Sequence, residues 1–87
     1  MIEAMGRHIR IYTRSWCEDS QAAKAFLTQH GLDFEEIDIE ASPQAAAFVE
    51  SVNQGKRRTP TFEVDGRSFH ASPFDAGKLA EALHLNA

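Results

Sequence analysis

The chain has 87 residues, 43% hydrophobic and 25% charged, with 9 lysines and arginines against 13 acids and a formal net charge of −4. That size suits one domain, residues 1–87, able to bury a modest core without staples, and no apolar run approaches the roughly 20 residues of a membrane span. The acidic balance gives no general affinity for nucleic acid, and Lys56-Arg57-Arg58 is the one basic cluster. Met1 to Gly6 has neither a basic start nor a long apolar segment, so it does not read as a secretory signal, and the cytoplasm is the expected compartment.

Ile9 and Ile11 alternate with Arg10 and Tyr12, which predicts a strand over His8–Thr13. Ala23, Phe26 and Leu27 recur at helical spacing, so a helix is expected over Ser20–His30 with Gly31 as its stop. Phe34, Ile37 and Ile39 mark a second strand within Asp33–Ile39, parallel to the first through a right-handed crossover. Ser42-Pro43 offers a capping hydroxyl and a proline pre-set for the first helical position. The helix it opens runs to Val52 and ends at Asn53-Gln54-Gly55. Phe62 and Val64 lead into Asp65-Gly66, a dipeptide suited to the positive φ angles of a tight hairpin, so Arg67–His70 returns antiparallel. Ser72-Pro73 repeats the serine-proline start, with Asp75 as an acid at the third helical position, and opens a last helix through Leu79 and Leu83. The order β-α-β-α-β-β-α describes an α/β fold with a four-stranded mixed sheet and three helices.

The only cysteine, Cys17, falls between the first strand and the first helix, so no internal disulfide can form. A helix start carries unpaired N–H groups and partial positive charge, and both favour a thiolate. Ser20, three residues on, lies on the same side of the first turn, where its hydroxyl can serve either the sulfur or the helix backbone. Glu18 and Asp19 oppose ionisation, whereas the helix start, Arg14 and the basic loop support it. The supporting groups are expected to prevail, with both carboxylates turned to solvent. Trp16 reads as an exposed platform beside the thiol or as a core anchor. His8, His30, His70 and His84 lack metal-ligand spacing with Cys17, so no metal site is expected.

A strand, a cysteine at a helix start, a proline opening a later strand, a hairpin and a final helix together resemble the thioredoxin fold, and specifically a glutaredoxin. Ile11 to Cys17 is similar to that family's active-site approach, and Phe34 to Ile39 to its second strand. Phe48 to Gly55, followed by Arg57, Pro60 and Thr61, is most similar to the mycoredoxin-like branch. The resemblance implies a thiol-disulfide oxidoreductase of redox homeostasis, with Cys17 and Ser20 as the catalytic pair. Two-thiol glutaredoxins have cysteine at the place of Ser20, so the implied mechanism is monothiol exchange on protein mixed disulfides. Its co-substrate is a small thiol, glutathione or mycothiol, and no cofactor is tightly bound.

By the same resemblance Pro60 is expected to be cis, turning the Thr59 backbone toward the sulfur as a rail for an extended peptide. The family usually has valine at the place of Thr59 and threonine at that of Arg58. Arg14, Trp16, Arg57 and Arg58 border this rail, the arginines as receivers of a substrate carboxylate. Where many glutaredoxins have a double-glycine turn, this chain has His70 to Asp75, from which Ser72 and Asp75 are expected to face the small thiol. The expected partners are the small thiol and protein mixed disulfides, met by a monomer, with neither nucleic acid nor membrane. Two rival readings are a dimeric iron–sulfur carrier and a redox-inactive adaptor. The carrier class has Cys-Gly-Phe-Ser where this chain has Cys17-Glu18-Asp19-Ser20.

Overall fold

In the computed structural model, which describes residues 8–85, strand β1 (Ile9–Thr13) is an inner strand of a four-stranded sheet ordered β2-β1-β3-β4. Strand β2 (Glu35–Asp38) lies parallel to β1, with Ile37 opposite Tyr12. On the other side β3 (Thr61–Val64) is antiparallel to β1, with Phe62 opposite Ile11, and β4 (Arg67–His70) is antiparallel to β3. Helices α1 (Glu18–Gln29), α2 (Pro43–Val52) and α3 (Ala76–Ala82) complete the expected β-α-β-α-β-β-α order. Among the described residues no helix is long and apolar enough to cross a membrane.

Alternation along the inner strands sorts the core into two layers. Ile9, Ile11, Phe62 and Val64 pack against Ala23, Phe26 and Leu27 of α1 and against Leu79 and Leu83 of the C-terminal segment. Tyr12 points the other way, into a smaller cluster with Ile39, Ala45, Ala46 and Val49. Helices α1 and α3 therefore cover one face of the sheet, and α2 part of the other. Arg10 shares the second face, where its guanidinium reaches the register neighbours Glu35 at 3.1 Å and Glu63 at 3.4 Å.

Helix ends explain where the elements begin and stop. Helix α1 starts two residues earlier than Ser20, because Cys17 takes the N-cap position and its carbonyl accepts from Gln21 N at 3.2 Å. It ends with Gly31 at φ 68°, where Gly31 N donates to the Thr28 carbonyl and Leu32 N to that of Leu27. Ser42 caps α2 as anticipated, accepting from Ala45 N at 3.1 Å.

Ser72-Pro73 does not open α3. Asp75 does, its carboxylate accepting from Lys78 N at 3.0 Å so that the helix starts at Ala76. A carboxylate three residues past the serine is the stronger partner for orphan N–H groups, and the N–H of Phe74 is already drawn to Asp19.

A buried side-chain chain joins the end of α2 to the start of β3. Asn53 Nδ2 donates to the Val49 carbonyl at 2.8 Å and to Thr61 Oγ1 at 3.0 Å, and Thr61 Oγ1 donates to the Arg58 carbonyl at 2.6 Å. The loop between them, residues 54–60, is thereby fixed at both ends. Asn53→Ala would leave buried polar groups without partners and is expected to lower stability by about 1–3 kcal/mol in urea unfolding. An unchanged midpoint would show that this tether contributes nothing.

Candidate functional site

The chain leaves β1 at Thr13, turns through Arg14-Ser15-Trp16, and enters α1 at Cys17, whose N–H donates to the Arg14 carbonyl at 3.1 Å. The thiol is half-buried, and Sγ donates to the Thr59 carbonyl at 3.4 Å. Thr59 and Pro60 are buried, the peptide between them is cis, and the Pro60 carbonyl accepts from Ala71 N at 2.9 Å. Among the described residues no group bonds to the Thr59 N–H. Its carbonyl is engaged only while the sulfur keeps its proton, since a thiolate has nothing to donate.

Ser20 is fully buried, and its Oγ is the one buried side-chain polar atom without a hydrogen-bond partner among the described residues. An orphan donor in the first turn, beside a sulfur that is still a donor itself, finds its acceptor when that sulfur ionises. Burial pushes the Cys17 thiol up. The hydroxyls of Ser20 and Thr59 and the backbone N–H groups of Ser20 and Asp19 more than offset this, and hold the thiol below its ordinary value. Neither Glu18 nor the Asp19 carboxylate is among these dominant influences. Glu18 is exposed, as anticipated. Asp19 departs from expectation, because Oδ1 accepts from Phe74 N at 3.1 Å rather than turning to solvent.

Arg14 is a strut between segments. Its Nε donates to Thr59 Oγ1 at 3.2 Å and its Nη2 to the Arg57 carbonyl at 2.7 Å, while the guanidinium carbon lies 4.5 Å from the centre of the Trp16 ring. Trp16 is 62% exposed, which excludes the core-anchor reading, and its indole N–H donates to Glu40 at 3.1 Å. Arg57 turns along α2 to pair with Glu50 at 2.6 Å, so it meets this chain's own carboxylate where a substrate's was expected. Arg58 is exposed and offers its carbonyl to Thr61.

The structure therefore gathers Arg14, Trp16, Cys17, Ser20, Thr59 and Pro60, with Arg57 and Arg58 at the margin. Ser72 Oγ lies 3.2 Å from His70 Nδ1, Asp75 caps α3, and among the described residues no hydrogen bond joins either to the thiol group. Both line a groove of about 370 Å³ between β4 and α3 that Cys17 does not touch. Sequence reading missed the Arg14–Thr59 and Asp19–Phe74 bonds, which span 45 and 55 residues and leave no local pattern.

Ser20→Ala removes one charge-assisted donor, so alkylation of Cys17 by iodoacetamide at pH 7 is expected to slow about tenfold, with its pH midpoint moving up. An unmoved profile would assign Ser20 to packing alone. The same depressed pKa links to stability. Between the native and the unfolded thiol pKa the unfolded chain binds more protons, so stability rises with pH across that window. The contribution is complete above the unfolded value and lost as pH falls through the native one. Unfolding curves of the wild type and Cys17→Ser are expected to diverge with that sign.

Comparison with known proteins agrees with this geometry. The sequence model of the glutaredoxin family matches residues 9–69. A glutaredoxin-class protein of Mycobacterium tuberculosis is 40% identical over 65 residues, covering 75% of this chain and 77% of that one. The glutaredoxin-like protein NrdH of Lactococcus lactis is 31% identical over 74 residues, covering 83% of this chain and 99% of its own. The glutaredoxin-like protein NrdH-redoxin from Escherichia coli superposes with a TM-score of 0.72 at 29% identity, over 92% of this chain and 96% of that structure. The match to the family model and to relatives over most of their length, on the observed sheet order, shows that the chain belongs to the glutaredoxin family.

Proposed function

We propose that the chain is a thiol-disulfide oxidoreductase that works through one sulfur, Cys17, on mixed disulfides between a protein and glutathione or mycothiol. The observation that carries this reading is the set of donors around Sγ, with Ser20 Oγ left without a partner until the sulfur ionises. The Cys17 thiolate attacks the small-thiol sulfur of the mixed disulfide. The old S–S bond breaks, the protein sulfur leaves as a thiolate and takes a proton, and a disulfide forms between Cys17 and the small thiol.

Ser20 holds no sulfur, so no second cysteine of this chain can resolve that intermediate. A second small thiol, as thiolate, attacks the sulfur of the first, and the pair leaves as its own disulfide. Cys17 returns to the thiolate, its charge received by the hydroxyls of Ser20 and Thr59. Each turnover consumes one free small thiol, which is oxidised as the protein sulfur is reduced; the small thiol of the mixed disulfide keeps its oxidation level and leaves within the product disulfide. The Thr59 N–H and its carbonyl, freed on ionisation, pair with the amide groups that flank the sulfur of the small thiol. The exposed face of Trp16 flanks it, Arg58 receives a carboxylate where the small thiol is glutathione, and Ser72 and Asp75 border the far side. The reading takes the protein to work in the cytoplasm, where a pool of reduced small thiol is available, and to act as a monomer.

Reduced protein incubated separately with glutathione disulfide and mycothiol disulfide, then weighed, is expected to gain one small thiol at Cys17. Cys17→Ser is expected to gain none. The adduct that forms names the co-substrate, and failure of both to add would overturn the proposal.

A further inference from the structure

We propose that Asp19 is a positioning residue whose carboxylate clasps the Ser72–Phe74 segment against α1 and so builds one wall of the disulfide-binding site. The inference rests on the function proposed above. Asp19 lies two residues past the sulfur, where a negative charge works against the thiolate. The fold gives that charge another task. Oδ1 accepts from Phe74 N at 3.1 Å in a partly buried contact, and the Phe74 ring makes a T-shaped pair with Phe26 of α1, centroids 6.2 Å apart.

The segment has few other holds. Upstream, Ala71 N is bonded to the Pro60 carbonyl, and downstream Asp75 begins the cap of α3. Between those anchors Pro73 has no N–H to give, and among the described residues Ser72 N reaches only the His70 ring at 3.4 Å. Among the described residues, the Asp19 carboxylate is the one hydrogen-bond acceptor on α1 that this segment reaches. Residue 19 is thus used twice. Its backbone N–H supports the sulfur, and its side chain holds the wall, so the two are fixed relative to each other by a single residue.

Asp19→Ala removes the acceptor, whereas Asp19→Asn removes the charge and keeps an oxygen that can still accept. Two readouts on the full chain separate these effects. The first is hydrogen exchange of the Phe74 amide. The second is the rate at which Cys17 reacts with the disulfide that adds to the wild type, relative to iodoacetamide, which needs no wall. In Asp19→Ala, Phe74 exchange is expected to rise about tenfold and the relative disulfide rate to fall severalfold. Asp19→Asn is expected to restore both.

Unchanged Phe74 exchange in Asp19→Ala would overturn the clasp. Equal acceleration of both variants with both reagents would also overturn it, since that is the signature of a charge acting on the thiol alone. If neither small-thiol disulfide adds to the wild type, the proposed function fails, and Phe74 exchange still decides for or against the clasp.

Discussion

Cys17 Sγ lies 3.4 Å from a carbonyl 42 residues further along the chain, and the sheet order brings this about. Because β3 runs antiparallel to β1 with Thr61 opposite Tyr12, the entry to β3 lies beside the exit from β1. The exit from β1 carries the cysteine, and the entry to β3 carries Thr59 and Pro60. The side-chain chain from Asn53 through Thr61 to Arg58 holds the second of these in place, and Arg14 bridges the two. The contact between sulfur and carbonyl is therefore a property of the strand register, expressed at one end of the sheet.

The balance at the sulfur is set by hydrogen bonds more than by net charge. Two acids follow the cysteine and the chain as a whole is negative, yet burial, which raises the thiol, is outweighed by two hydroxyls and two backbone N–H groups. Distance and screening account for this. An exposed carboxylate such as Glu18 acts through water, while donors in contact act directly on a half-buried atom. Arg14, the cation nearest in sequence, reaches the site through Thr59 Oγ1 and the Arg57 carbonyl.

Much of this was legible in the chain, and the failures have physical reasons. Alternation in Ile9-Arg10-Ile11-Tyr12 and the Asp65-Gly66 turn found β1 and the hairpin, because both signals are local. The dipeptide Ser-Pro predicts a helix start at both residue 42 and residue 72, and only the first opens a helix. What separates them is Asp75, a better cap two residues beyond Pro73, together with a distant carboxylate that claims the N–H of Phe74. Cys17, Ser20 and Thr59-Pro60 could be picked out because residue type and position suffice. The duties of Arg14, Arg57 and Asp19 could not, because each depends on a partner that only the folded chain brings near.

Trp16 carries a consequence of a different kind. It is the only tryptophan of the chain, it is exposed, and it precedes the sulfur by one residue. Its indole N–H is bonded to Glu40 and one face is occupied by Arg14. Any group joined to Cys17 changes the surroundings of this single indole, so its emission, excited where tyrosine does not absorb, can follow the state of the sulfur in real time without an added label.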